Sequence, residues 1–175
     1  MTLFIRCGLA LVLAMGLCTS ALSHDGEVKI TGTIQDNTCE LAPDSQSKKI
    51  LMGSVATKQF TQTGDFAPAK PFSINLQNCG PAASEATVTF SGTPDSENGD
   101  LFALENGTDA AKGLALGIYD NDGKRISPGG TSRSVVLTAD QTSVELRFSA
   151  RYEAVGEGVT AGRADATATF VVNYN

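Results

Sequence analysis

The chain has 175 residues, with 19 acidic side chains against 13 basic ones, a formal net charge of −6 and a single histidine. That length holds one domain or two small ones. An acidic surface argues against nucleic acid and anionic lipid as partners, and a lone His24 leaves little from which to build a Ser-His-Asp or Cys-His catalytic arrangement.

Taken from the start, Arg6 is a short positive prelude to an apolar run over residues 9–17, and Ala21 and Ser23 follow with the small-residue spacing of a secretory cleavage site. Residues 1–23 are therefore read as a signal peptide, with His24 as the mature N-terminus. The run is too short to span a bilayer as a helix, and no second long apolar segment follows it. Leu17 ahead of Cys18 is a poor match to a lipid-attachment signal, which wants a small residue there.

Helical periodicity is nearly absent beyond this point. Residues 28–34 alternate, with Val28, Ile30 and Ile34 in one row and Gly32 in the same row. Residues 71–76 place Phe72, Ile74 and Leu76 on one face, and 86–90 do the same with Ala86, Val88 and Phe90. Residues 92–113 are irregular, with room for a short strand over 101–104. A strand over 114–119 runs into Asp120-Asn121-Asp122-Gly123, a strong turn signal. Ser127-Pro128-Gly129-Gly130 marks a second turn. Residues 144–152 put Val144, Leu146, Phe148 and Ala150 inward, with Glu145, Arg147 and Arg151 outward. The final run, 164–174, aligns Ala164, Ala166, Ala168, Phe170, Val172 and Tyr174. About seven short strands separated by turn residues predict an all-β sandwich or barrel.

Cys39 and Cys79 are the two cysteines left after cleavage. An even pair in an exported chain reads as one disulfide, worth roughly 4 kcal/mol by loop closure; two buried free thiols are the alternative. Chemistry is otherwise sparse. The carboxylates mostly fall in turns or on polar strand faces, where solvated surface is the better reading than paired acid–base groups. Asp120-Asn121-Asp122-Gly123 lacks the alternating ligand spacing and distal Glu of a calcium loop. Asn106-Gly107-Thr108 matches a glycosylation sequon, a pattern common by chance.

Two features are more specific. The N-terminal strand precedes the region closed by the cysteines and has one apolar row; it reads either as an ordinary edge strand of its own sheet or as a strand offered to a partner. The last strand carries a full apolar row, yet no further strand follows to pair with it, so an immunoglobulin-like sandwich would lack its final strand and expose an apolar groove with an unpaired edge. Head-to-tail exchange of the spare strand satisfies both ends, and such heterologous contacts generate open fibres.

In this order and spacing the residues resemble the pilins of the chaperone–usher pathway over essentially the whole mature chain. Val28, Ile30, Gly32 and Ile34, leading through Asp36-Asn37-Thr38 to Cys39, resemble the family's donor strand; Leu76-Gln77-Asn78-Cys79-Gly80 resembles the site of its second cysteine. Gly162, fourteenth from the C-terminus, with Ala166, Ala168, Phe170, Val172, Tyr174 and the terminal Asn175, resembles its chaperone-recognition motif. The phrases around Lys58-Gln59-Phe60, Leu104-Glu105-Asn106 and Thr160-Ala161-Gly162 are similar to minor tip-adaptor subunits of type 1 fimbriae, the FimF kind.

The resemblance implies an incomplete immunoglobulin-like sandwich over residues 39–175 with a donor-strand extension at 24–38. It implies a non-enzymatic, surface-exposed fimbrial subunit without cofactor, metal or small-molecule substrate. Its partners would be neighbouring fimbrial subunits, a periplasmic chaperone that grips Asn175, and an outer-membrane usher. A major rod subunit and a self-complete, secreted immunoglobulin-like carbohydrate-binding module are the alternatives.

Overall fold

Strict alternation of apolar and polar side chains lays down most of the ladder, because a period of two gives each strand one face to bury. The computed structural model describes residues 29–33, 38–156 and 158–174. The chain divides after Thr33 into two units, Met1–Thr33 and Ile34–Asn175. In the first, residues 29–33 have no regular secondary structure, whereas their alternation predicts a strand; Ile30 is 91% exposed. Among the described residues no strand pairs with 29–33, and a strand without a ladder partner is not stable alone.

The second unit carries eight strands among the described residues: β1 (Glu40–Leu41), β2 (Lys70–Gln77), β3 (Glu85–Ser91), β4 (Leu114–Asp120), β5 (Arg125–Ile126), β6 (Val135–Val136), β7 (Ser143–Ala154) and β8 (Thr169–Tyr174). They form two antiparallel sheets, ordered β1-β2-β7-β4-β5 and β6-β3-β8. The central ladder pairs Phe72 with Phe148 and Ile74 with Leu146, so the inward rows of β2 and β7 coincide. The turn after β4 is built on Asp120, whose Oδ1 accepts from the Asp122 and Lys124 amides while its carbonyl accepts from Gly123 N–H.

Between the sheets, Ile74, Leu76, Ile118, Leu146 and Phe148 from one side meet Ala86, Val88 and Phe90 from the other. Phe90 sits edge-on to Phe148 at 5.1 Å, and Phe72 lies 5.6 Å from Phe148. Burying each such side chain contributes roughly 1.5–3 kcal/mol. A disulfide joins Cys39 to Cys79 across a separation of 40 residues.

Two expectations are corrected. The final apolar run enters the ladder only from Thr169, and residues 164–168 stand outside any strand. The segment at 101–104 makes only isolated bridges through Phe102, to Pro94 and Leu116. Among the carboxylates, Asp120 and Glu153 are buried.

Candidate functional site

Among the described residues β8 is an edge strand: it pairs with β3 through Phe90–Phe170 and Val88–Val172, and no described strand lies on its other side. Beyond that edge lies an open cleft of about 1370 Å³. One wall is the chain over 46–55 and the other the chain over 160–170, both without regular strand structure until Thr169. The floor is apolar, with Phe72, Ile74, Phe90, Leu116, Ile118 and Tyr152 drawn from both sheets.

The walls are short of main-chain partners. Among the described residues, no main-chain hydrogen bond involves 47–55 or 166–168. Buried amide and carbonyl groups are nearly always paired, and an exposed strand edge is a template for another chain. An apolar floor flanked by unpaired main chain is the arrangement that accepts an added β-strand: ladder bonds supply affinity and the floor receives alternate side chains.

Both walls are pinned from behind. Gly162 is pressed onto the 109–111 main chain, where an added Cβ would lie 2.4 Å from Ala111 N and 2.5 Å from Asp109 O. Only glycine allows this approach, and Arg163 then exchanges bonds with it, donating N–H to Asp109 O at 2.7 Å and accepting from Ala111 N–H at 2.8 Å. Tyr152 rises from the floor and donates its hydroxyl to Ala164 O at 2.5 Å; burial, reinforced by Asp165, pushes its phenol pKa up. On the other wall, the buried Ser45 Oγ accepts from Asn75 N–H at 2.9 Å and anchors the short 3₁₀ turn that precedes it to β2.

The residues singled out in the sequence fall as follows. Ala166 is half-buried, Ala168 exposed and Phe170 half-buried, and all three line the cleft. Val172 and Tyr174 are half-buried against the sandwich core, and Tyr174 Oη donates to Cys39 O at 3.0 Å, with burial raising its pKa. Gly162 also lines the cleft, where it faces the 109–111 main chain. Ile30 and Gly32 belong to the separate N-terminal unit, with open space around Gly32. Val28, Ile34 and Asn175 lie outside the described residues. The wall over 46–55 was not predicted; its only signal is Ile50, Leu51, Met52 and Val55 in a stretch without turn residues other than Gly53 and Ser54. Among the described residues no group of three or more His, Cys, Asp or Glu is placed to hold a metal ion.

The described residues thus form a sandwich open along one edge, with an apolar cleft beside it. The fimbrial protein family model matches residues 28–175, and the chain belongs to that family. It is 40% identical over 153 residues to the uncharacterized fimbrial-like protein YcbV of Escherichia coli K12, covering 87% of this chain and 88% of that protein. It is 39% identical over 166 residues to the probable major fimbrial subunit LpfA of Escherichia coli O157:H7, covering 94% and 92%. A structure of a chaperone–usher pilus shares the fold, with a TM-score of 0.63 at 23% identity over 87% of this chain and 96% of the other. The chain is thus a structural subunit of surface fimbriae, from a family that is not enzymatic.

Proposed function

We propose that this subunit polymerises by strand exchange: its cleft accepts a β-strand from a neighbouring subunit, and its own N-terminal extension over 24–38 fills the next cleft. The cleft carries this reading, since its floor is apolar and its wall main chain lacks partners. Val28, Ile30, Gly32 and Ile34 form the inserting row. Each of the three large side chains would contribute roughly 1.5–3 kcal/mol on burial, and together they rival a domain's whole marginal stability of about 5–15 kcal/mol. Residues 1–23 direct export and are removed. In the periplasm a chaperone lends a strand to the cleft first, contacting Ala166, Ala168, Phe170, Val172, Tyr174 and the Asn175 carboxylate. An outer-membrane usher then presides over the exchange.

Within the fibre, the sequence phrases favour a minor adaptor position. The 39% identity to a probable major subunit favours the rod instead. Counting copies per fibre by quantitative mass spectrometry separates the two.

The exchange is tested with a chain lacking residues 24–33 and a synthetic peptide of residues 24–38. Adding the peptide is expected to raise the thermal midpoint by more than 10 °C, roughly the effect of several kcal/mol on a domain this size, and an Ile30→Asp peptide is expected to do nothing. A truncated chain that is already stable and monomeric, and indifferent to the peptide, would mark a self-complete module and sink the proposal.

A further inference from the structure

The outward face of β4 and β7 carries a cluster that the cleft does not use. Glu153 is 4% exposed and accepts from Arg125 Nη2 at 2.7 Å, from Arg151 Nε at 3.0 Å and from the Tyr119 hydroxyl. The same hydroxyl accepts from Arg125 Nε at 3.2 Å and Arg151 Nη2 at 3.0 Å. Gly117 makes the room: a Cβ there would lie 2.8 Å from both Glu153 Oε1 and a Tyr119 ring carbon. The Arg151 guanidinium lies between two rings, 4.0 Å from the Phe66 centroid and 4.3 Å from that of Tyr119.

Two properties of this cluster point outward. First, two guanidiniums share one carboxylate, leaving positive charge over on a chain of net charge −6. Burial and the nearby Arg125 charge pull the Arg151 pKa down, as expected where like charges crowd. Each guanidinium is partly solvent-accessible, and its Nη1 has no hydrogen-bond partner among the described residues. Second, Phe66 is 58% exposed, although one face is stacked on Arg151. An exposed aromatic ring stacked on a guanidinium with a free donor offers a flat apolar surface next to a planar hydrogen-bonding fork.

We propose that this cluster binds an acidic sugar of the hexuronate class, with the sugar ring lying on Phe66 and its carboxylate accepting from Arg125 and Arg151. The carboxylate supplies the missing negative charge and matches the guanidinium fork geometrically. The apolar face of a pyranose ring suits Phe66 better than a flexible Asp or Glu side chain, which would leave the ring uncovered. A mostly apolar surface with a few placed polar groups is the usual make-up of a small-ligand site. Repetition of the subunit along a fibre would multiply a weak single-site affinity.

The test uses intact fibres sheared from cells and a fluorescent hyaluronan tetrasaccharide, with chitotetraose as the neutral counterpart, and reads bound ligand by co-sedimentation. Fibres are expected to retain the hyaluronan fragment, to ignore chitotetraose, and to lose several-fold of the bound ligand between about 50 mM and about 500 mM sodium chloride. Phe66→Ala, at an exposed position, and Arg125→Gln, which leaves Glu153 its bonds from Arg151 and Tyr119, are each expected to weaken binding about tenfold. Both variants should still assemble, so loss of binding is separable from loss of fibres. Equal retention of both oligosaccharides, or unchanged binding by both variants, overturns the proposal. So does displacement of the fragment by acetate as effectively as by glucuronate, which would mean the cluster reads a carboxylate without a sugar.

Discussion

The two flanks of the sandwich use the same alternating pattern and reach different ends. Where β2 and β7 lie over β3, inward side chains meet inward side chains: Leu76 and Leu146 are 1% exposed and pack in one cluster with Val88 at 0%. Along the final run the alternation is as regular, yet Ala168 is exposed and Ala166, Phe170, Val172 and Tyr174 are only half-buried. Among the described residues the first flank has a partner strand on each side and the second on one side only. Alternation specifies which face a strand would bury, but burial itself depends on a second element arriving from elsewhere.

The sharpest way to break the contrast is to damage the closed flank. Phe148→Ala removes the ring that joins Phe72 and Phe90, and should cost about 3–5 kcal/mol in urea unfolding. Replacing Cys39 and Cys79 together by serine removes the cross-link; the midpoint should fall by an amount equivalent to about 2–5 kcal/mol, and reducing agent should then have no further effect. Gly162→Ala forces a methyl group into the 109–111 main chain and should cost about 1–3 kcal/mol while displacing a cleft wall; Gly99→Ala, with open space around it, serves as the control. The smallest effect on stability belongs to the open flank. Ala168→Asp, at an exposed cleft position, should stay within about 0.5 kcal/mol of the parent yet abolish the midpoint rise produced by the 24–38 peptide. A variant that lost stability but kept peptide uptake would show that the two flanks are not separable in this way.

The same distinction explains how much could be read from the chain. β2, β3, β4 and β7 were legible because each is long enough to alternate several times, and the turn after β4 because Asp120 and Gly123 announce it. β1, β5 and β6 are two residues each, too short for any period, and exist only because a neighbouring strand is there to pair with. The apolar row at the C-terminus marked one wall of the cleft, but the opposite wall over 46–55 carries no periodic signal. The burial of Glu153 was not legible for a related reason. It falls on the outward face of β7, where period-two reasoning expects water, and it is buried by Arg125, Arg151 and Tyr119 over the space left at Gly117. Its cover comes from residues two to thirty-six positions away, none of them marked by local pattern.

The cross-link at Cys39 has a mechanical consequence. Thr38 precedes it directly, and the first strand after it, β1, holds on by only two residue pairs. Tension entering at Thr38 would unzip so short a strand easily if it passed along the backbone alone. Because Cys39 is covalently tied to Cys79, just past the end of β2, the load is passed to an eight-residue strand paired along its whole length with β7, and β1 is spared from peeling.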